Sequence, residues 1–357
     1  MVDAATRSSP PRNRESGELL VLGVESTAHT FGASVVSSRP PYVLSDVRSQ
    51  YKPSKGGILP REAAAFLAEN APGVVSRALE EAGVGPGELD AIAVSLGPGM
   101  GPSLRVGATV ARALASRYGL PIVPVNHAVA HIEIARFLTG LRDPLVLYVA
   151  GGNTTVMSHV AGRYRVFGET LDIALGNLLD TFAREAGIAP PYIVGGEHAV
   201  DRCAAGGKYV KGMPYVVKGQ DVSFSGLLTT SLKLLRKGFR LSDVCYTLRE
   251  IAFSSVVEVA ERGLAHTGKD SIILTGGVAA NRILNEKVRL MALEQGARFE
   301  PIEARFCGDN GVMIAITGLL AYAHGVSLDT PRKALIRQRW RPDEVDAPWY
   351  PLTLRDL

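Results

Sequence analysis

Apolar and polar positions change rhythm along the chain, and each change marks an element. Short apolar runs at residues 19–23 and 33–37 flank a Glu-Ser-Thr turn, which predicts two strands opening a sheet as a hairpin. A helical period follows over 62–83, then a strand at 91–95 running into GPGMGPS, a helix over 105–117 and a strand at 121–125 that ends in Asn126. From residue 145, LVLYVAGGNTTVMSHV places apolar runs on either side of a Gly-Gly-Asn turn and predicts a second hairpin. Residues 271–274 read as a short buried strand leading into TGGVAANRIL and a helix, and CGDNGVMIAITGLLAYAHG reads as a turn followed by an amphipathic or buried helix.

Strands joined to glycine turns thus recur at Gly23, Gly151 and Gly276, far apart in sequence. That distribution predicts an α/β chain of two lobes supplying glycine turns to a shared cleft. The first lobe is expected over 18–145, completed by 305–345, and the second over 146–304. Residues 1–17, polar and rich in Pro, Ser and Arg, are expected to be a disordered tail, and 346–357 a C-terminal tail. A length of 357 residues with 46% hydrophobic and 21% charged suits two packed cores.

A net charge of +4 permits a nucleic-acid partner without requiring one. The three cysteines, Cys203, Cys245 and Cys307, are widely spaced and suggest neither a disulfide framework nor a cysteine zinc site, which points to a reducing compartment. No continuous apolar segment opens the chain as a signal peptide would, and none approaches the roughly 20 residues needed to span a bilayer. A cytoplasmic protein with no membrane partner is expected.

The turns AGGN and TGGVAAN let main-chain amides approach phosphate oxygens, because glycine has no Cβ in the way. Neither has the Lys-Ser/Thr of a P-loop or the spacing of a dinucleotide fingerprint. In NHAVAHIE, His127 and His131 stand at i and i+4, with Asn126 as a helix N-cap, so that two imidazoles can reach one metal ion; the alternative is a chance pair of core or surface histidines. A carboxylate must join them, and Asp309 is the candidate; its bland role is to cap the last helix. Zinc proteases place a Glu after the first histidine, where this chain has Ala128, so the general base of that chemistry is missing. Such a donor set suits Fe or Zn.

Taken together these residues resemble the universal tRNA threonylcarbamoyl transferases, in particular the archaeal and eukaryotic catalytic subunit of the KEOPS complex. The resemblance runs from Val21 to about Ala323 through GVESTAHTFGASVV, GGILPREAA, SLGPGMGPSLRVG, VNHAVAHIEIAR, LYVAGGNTTV, GETLDIALGNLLDTFAR, VKGQDVSFSGLLT, TGGVAANRIL and CGDNGVMIA. It implies an actin-like, sugar-kinase-like ATPase fold with two lobes around a nucleotide cleft. It implies one Fe or Zn ion per subunit, held by His127, His131, Asp309 and Tyr148, with the first three also catalytic. Substrate contacts are implied at Tyr148, Val149, Ala150, Gly151 and Gly152 for the phosphate and carbamoyl end, at Asp180 and Gly196 near the ribose, and at Asn281 for the adenylate. Asp201 is the best match for an acidic contact in a segment, residues 193–201, that departs from the family pattern. The segment at Gly56 to Glu62 departs as well, with Leu59 replacing a histidine, while Glu62 remains.

The activity implied is transfer of threonylcarbamoyl from threonylcarbamoyl-adenylate to the adenosine beside the anticodon, giving t6A in tRNAs that read ANN codons. Implied partners are tRNA, an upstream synthase that supplies the donor, and other KEOPS subunits including a separate small atypical kinase. The rivals are a small-molecule kinase or ATPase of the same superfold, and a nucleotide-dependent scaffold with a structural metal. Two basic segments, 233–240 and 332–341, are candidates for tRNA contact. In the second, Arg337, Arg339 and Arg341 would meet the backbone and Trp340 would stack; the alternative is two solvated surfaces.

Overall fold

The computed structural model describes residues 17–53, 57–188 and 193–357. Residues 1–16 of the expected 1–17 tail and the position of Gly56 lie outside the described residues. In chain order the strands are β1 (Leu20–Glu25), β2 (Thr30–Ser37), β3 (Val47–Gln50), β4 (Ala91–Gly97), β5 (Ile122–Asn126), β6 (Leu145–Val149), β7 (Thr154–Val160), β8 (Arg163–Glu169), β9 (Val217–Lys218), β10 (Asp221–Val222), β11 (Ser271–Thr275) and β12 (Arg298–Phe299). The helices are α1 (Pro60–Ala82), α2 (Gly101–Tyr118), α3 (His127–Thr139), α4 (Leu175–Glu185), α5 (Ala199–Cys203), α6 (Ser225–Arg236), α7 (Leu241–Thr267), α8 (Arg282–Glu294), α9 (Ala304–Cys307) and α10 (Gly311–Ala323). Among the described residues no helix is long and apolar enough to cross a membrane.

Two compact units emerge: residues 1–134 with 309–357, and residues 135–308. The division falls inside α3, ahead of the boundary expected between residues 145 and 146. Residues 346–357 are no separate tail: Ala347, Trp349 and Leu354 are buried and belong to the first unit.

The first unit is built on a five-stranded sheet in the order β3-β2-β1-β4-β5, antiparallel over β1, β2 and β3 and parallel from β1 to β4 to β5. β1 and β2 are buried along their whole length, as near-continuous apolar runs must be when both faces of a sheet are covered. α10 is nearly all apolar and lies against β1, β2 and β4. The approach is close enough that a methyl group at Gly23 would run into the Gly311 carbonyl and the Ala315 amide. α1 starts with Pro60, whose missing N–H costs nothing in a first turn, and stops at Gly83 in the left-handed conformation, φ 64°.

The second unit repeats the arrangement, with the order β12-β11-β6-β7-β8, antiparallel over β6, β7 and β8 and parallel from β6 to β11 to β12. Its core gathers Leu147, Phe182, Phe253 and Leu274 from the sheet and from α4 and α7. Here the cysteine expectation is overturned: Cys203 of α5 and Cys245 of α7 form a disulfide, with Cα atoms 6.0 Å apart and a sequence separation of 42. Spacing in sequence gave no sign of it because packing of α5 on α7 sets the distance. Cys307 is free and buried, and burial lifts its thiol to about 12.

Candidate metal centre and glycine turns

β5 passes into α3 without a loop, and Asn126 makes the junction. Its Oδ1 accepts from the Ala128 and Val129 amides at 3.0 and 3.2 Å, which is the predicted cap, and its Nδ2 donates to the Trp340 carbonyl at 3.0 Å. One turn apart on the helix, the His127 and His131 rings meet edge to face with centroids 4.7 Å apart. Packing of α10 on the sheet brings Asp309 to them. Its Oδ1 lies 3.5 Å from His127 Nε2 and 3.4 Å from His131 Nε2.

Asp309 does not cap α10. Asn310 does, accepting from the Met313 amide at 2.8 Å, so the Asp309 carboxylate is left for the histidines. Behind His127, Glu25 Oε2 stands 3.1 Å from Nδ1, while Glu25 Oε1 accepts from the Thr27 amide and hydroxyl at 2.6 and 2.5 Å. Burial works against a charge on His127, yet the Glu25 and Asp309 carboxylates outweigh it and lift the imidazole to about 9. Burial lowers His131, against the pull of Asp309. The same burial would raise Asp309, but the two imidazoles hold it well below the usual carboxylate range.

The three donors fit one ion. Ligand atoms about 2.1 Å from an ion at a tetrahedral angle stand roughly 3.4 Å from each other, which the two separations of 3.4 and 3.5 Å reproduce. All three donor atoms fall within 4.8 Å of one another. A pair of imidazoles and a carboxylate is a set taken by Fe or Zn.

The other expected contacts are in the second unit. Tyr148 is buried in β6 and pairs with Thr275 of β11. Val149 ends that strand, and Ala150 to Asn153 form the turn, closed by the Ala150 amide on the Asn153 carbonyl at 2.8 Å. Gly151 and Gly152 are exposed with open space where a side chain would stand. α4 begins against this turn: a methyl group at Gly176 would come within 2.8 Å of the Ala150 carbonyl, and the Leu175 amide donates to Thr154 Oγ1 at 2.8 Å. A helix N-terminus therefore does stand beside the glycines, supplied by a later segment.

Asp180, Gly196, Asp201 and Asn281 come together in one network. His198 is the residue the sequence reading missed, and it joins them: its Nδ1 accepts from the Val200 amide, which leaves Nε2 to donate to Asp180 Oδ1 at 3.1 Å. Asp201 Oδ2 accepts from the His198 amide at 2.7 Å and from Asn281 Nδ2 at 2.6 Å. Asn281 Oδ1 caps α8 through the Ile283 and Leu284 amides, both at 3.0 Å. The Gly196 carbonyl takes the Arg282 amide at 2.9 Å.

The profile of the TsaD family, described as tRNA N6-adenosine threonylcarbamoyltransferase, matches residues 42–316. The chain belongs to that family. A threonylcarbamoyltransferase of the same name from Aeropyrum pernix is 71% identical over 342 residues, covering 96% of this chain and 97% of that one. Another from Hyperthermus butylicus is 60% identical, covering 93% of this chain and 92% of its own. Among solved structures, T. kodakarensis HypF matches with a TM-score of 0.58 at 17% identity, over 86% of this chain and 48% of HypF. Full-length HypF in its phosphate- and nucleotide-bound form matches at 0.54 and 12% identity, over 85% of this chain and 55% of that one. The chain thus spans about half the length of HypF, and the likeness shows the fold, the actin-like ATPase fold of two α/β units.

In this member of the threonylcarbamoyltransferase family the GVEST segment was the signal that could have revealed Glu25 and Thr27. It stood out as a hairpin, and their role behind His127 needed the fold. Glu62 receives the Tyr51 hydroxyl at 2.6 Å. The expected contact surface at 332–341 is corrected. Trp340 is buried beneath the Arg337 guanidinium, which lies 4.8 Å from its ring centre, and has no free face for a base. Arg337 pairs with Glu344, and Arg341 lies 3.3 Å from Asp343.

Proposed function

We propose that this chain transfers the threonylcarbamoyl group of threonylcarbamoyl-adenylate to N6 of the adenosine next to the anticodon in tRNAs that read ANN codons, giving t6A, with one Fe or Zn ion held by His127, His131 and Asp309. One observation carries the reading: two imidazoles and a carboxylate spaced for a single ion, in a chain of this family. Bound there, the ion would supply Lewis-acid polarisation and a counter-charge for a developing oxyanion.

The N6 amine is a poor nucleophile because its lone pair is delocalised into the purine, so the protein must act through positioning and charge stabilisation. As the N6–C bond forms, the carbamoyl C–O bond to phosphate breaks, AMP leaves with the electron pair, and N6 gives up a proton. The open amides of Gly151 and Gly152 suit a phosphate or carbamoyl oxygen. The network of Asp180, His198, Asp201 and Asn281 suits the ribose and adenine of the donor. Glu25 holds His127 so that Nε2 stays turned toward Asp309.

The motif resemblance supports a cytoplasmic protein that receives its donor from a separate synthase and works with other KEOPS subunits, including a small atypical kinase. Incubation of the purified chain with synthetic threonylcarbamoyl-adenylate and tRNA, followed by digestion to nucleosides, tests the proposal. The expected product is t6A, lost on chelation and in His127→Ala. Phosphorylation of a small molecule from ATP with no t6A would favour the kinase reading instead.

A further inference from the structure

Residues 202–240 hold eight Lys or Arg residues and a single carboxylate, that of Asp221, in a chain whose net charge is only +4. The structure gathers most of these cations at one end of α7. The loop at 206–210 lies across its first turns: the Arg240 guanidinium donates to the Gly206 carbonyl at 2.6 Å, the Lys208 amide to Asp243 Oδ1 at 2.8 Å and the Val210 amide to Thr247 Oγ1 at 2.8 Å. α6 ends at the same place, bringing Lys233, Arg236 and Lys237.

Lys208, Lys211, Lys233, Arg236 and Lys237 are exposed, and none has an acidic partner among the described residues. By contrast, Arg262 is paired with Glu258 and Arg289 with Glu286. The nearby carboxylate of Asp243 is already taken by the Lys208 amide and by Arg240 at 3.4 Å. Two aromatic rings stand among the free cations: Tyr209 is 56% exposed and Phe239 45%. Unpaired cations interleaved with exposed rings are what a nucleic acid requires, the charges meeting phosphates and the rings meeting unstacked bases.

We infer that this end of α7, with the 206–211 loop and the end of α6, is the surface on which the second unit holds the tRNA. The inference rests on the proposed function for the identity of the nucleic acid. It replaces the 332–341 segment, where Trp340 is buried and Arg337 and Arg341 are already engaged with Glu344 and Asp343.

Binding of labelled tRNA to the full chain, measured by anisotropy across a range of salt, tests it. Lys208→Gln, Lys233→Gln and Lys237→Gln combined should weaken binding about tenfold and flatten the slope of log affinity against log salt by about two to three. Tyr209→Ala should weaken binding while leaving the slope unchanged. Arg337→Gln, Arg339→Gln and Arg341→Gln combined serve as the charge-matched control and should leave both unchanged. The lysine and tyrosine variants should keep the wild-type melting temperature, and all variants the wild-type metal content. Wild-type affinity and slope in the triple lysine variant, or no tRNA binding by the wild type, would overturn the inference and leave the face to an acidic protein partner. The t6A assay run in parallel separates the two readings. Lysine-dependent tRNA binding without t6A would sink the proposed function alone, and t6A formation with an unchanged KM for tRNA in the lysine variant would sink the surface alone.

Discussion

Glu25 Oε2 lies 3.1 Å from His127 Nδ1, and both side chains are buried. A carboxylate on the far nitrogen fixes the tautomer and ring orientation of a metal-ligating histidine and makes it a stronger donor. Glu25→Gln keeps the volume and removes the charge. It should weaken metal affinity by roughly 10- to 100-fold, read by chelator competition, with the fold intact by circular dichroism. Unchanged affinity would mean that Glu25 serves only to brace the turn at Thr27.

In the metal-free protein His127 holds its proton up to about pH 9, whereas a metal ligand must be neutral. Loading with metal at pH 7.5 should therefore release a proton, measurable by titration calorimetry in buffers of different ionisation enthalpy, and affinity should climb with pH until about 9. Without metal the sign is the reverse for stability. The charged His127 contributes fully below its ordinary value of 6.5, and that contribution is lost as pH rises through about 9. Thermal unfolding of the metal-free chain between these pH values checks the trend.

Asn281 carries two loads, the cap of α8 and the bond to Asp201. Asn281→Ala should cost about 1–2 kcal/mol of stability from the cap. It should also weaken adenylate binding about tenfold, the scale of one lost bond to a charged group. Metal content should not change, because every ligand in the cluster belongs to the first unit. Loss of metal in this variant would contradict the separation.

The disulfide closes a loop across a sequence separation of 42. On loop-entropy arithmetic its removal by Cys203→Ala with Cys245→Ala costs roughly 4 kcal/mol. Denaturant unfolding with and without a strong reductant should show that loss in the wild type and no effect of reductant in the variant. Since α5 also carries Asp201, adenylate affinity should fall with it.

Asp172 accepts from the Ser223 and Ser225 hydroxyls and from the Phe224 and Ser225 amides. Burial acts against its charge, but these bonds hold the carboxyl well below its usual range. The stability it contributes is present above the ordinary value of 3.8 and is lost as pH falls through the lower folded value. Asp172→Asn should destabilise the protein by about 1–2 kcal/mol at neutral pH. The gap between the two melting curves should narrow below about pH 4.

The sequence by itself determined what depends on neighbours along the chain. The β1–β2 hairpin, the helix after Asn126 and the strand before each glycine turn follow from apolar rhythm and turn chemistry, because a period of two or of 3.6 is a local property. The i, i+4 spacing of His127 and His131 is likewise enough to put both rings on one face, and the Asn126 cap needs nothing beyond the next three residues.

Only the tertiary structure decided which distant groups complete these fragments. Asp309 reaches the histidines because α10 packs closely on β1 at Gly23, a contact that no sequence spacing encodes. His198 and Asp201 meet Asp180 and Asn281, and Cys203 meets Cys245, for the same reason. Trp340 looked available for stacking in a run of arginines, yet lies buried with its carbonyl bonded to Asn126. Local pattern fixes which way a side chain leaves its own element, and burial of the apolar faces of two sheets then selects what it meets.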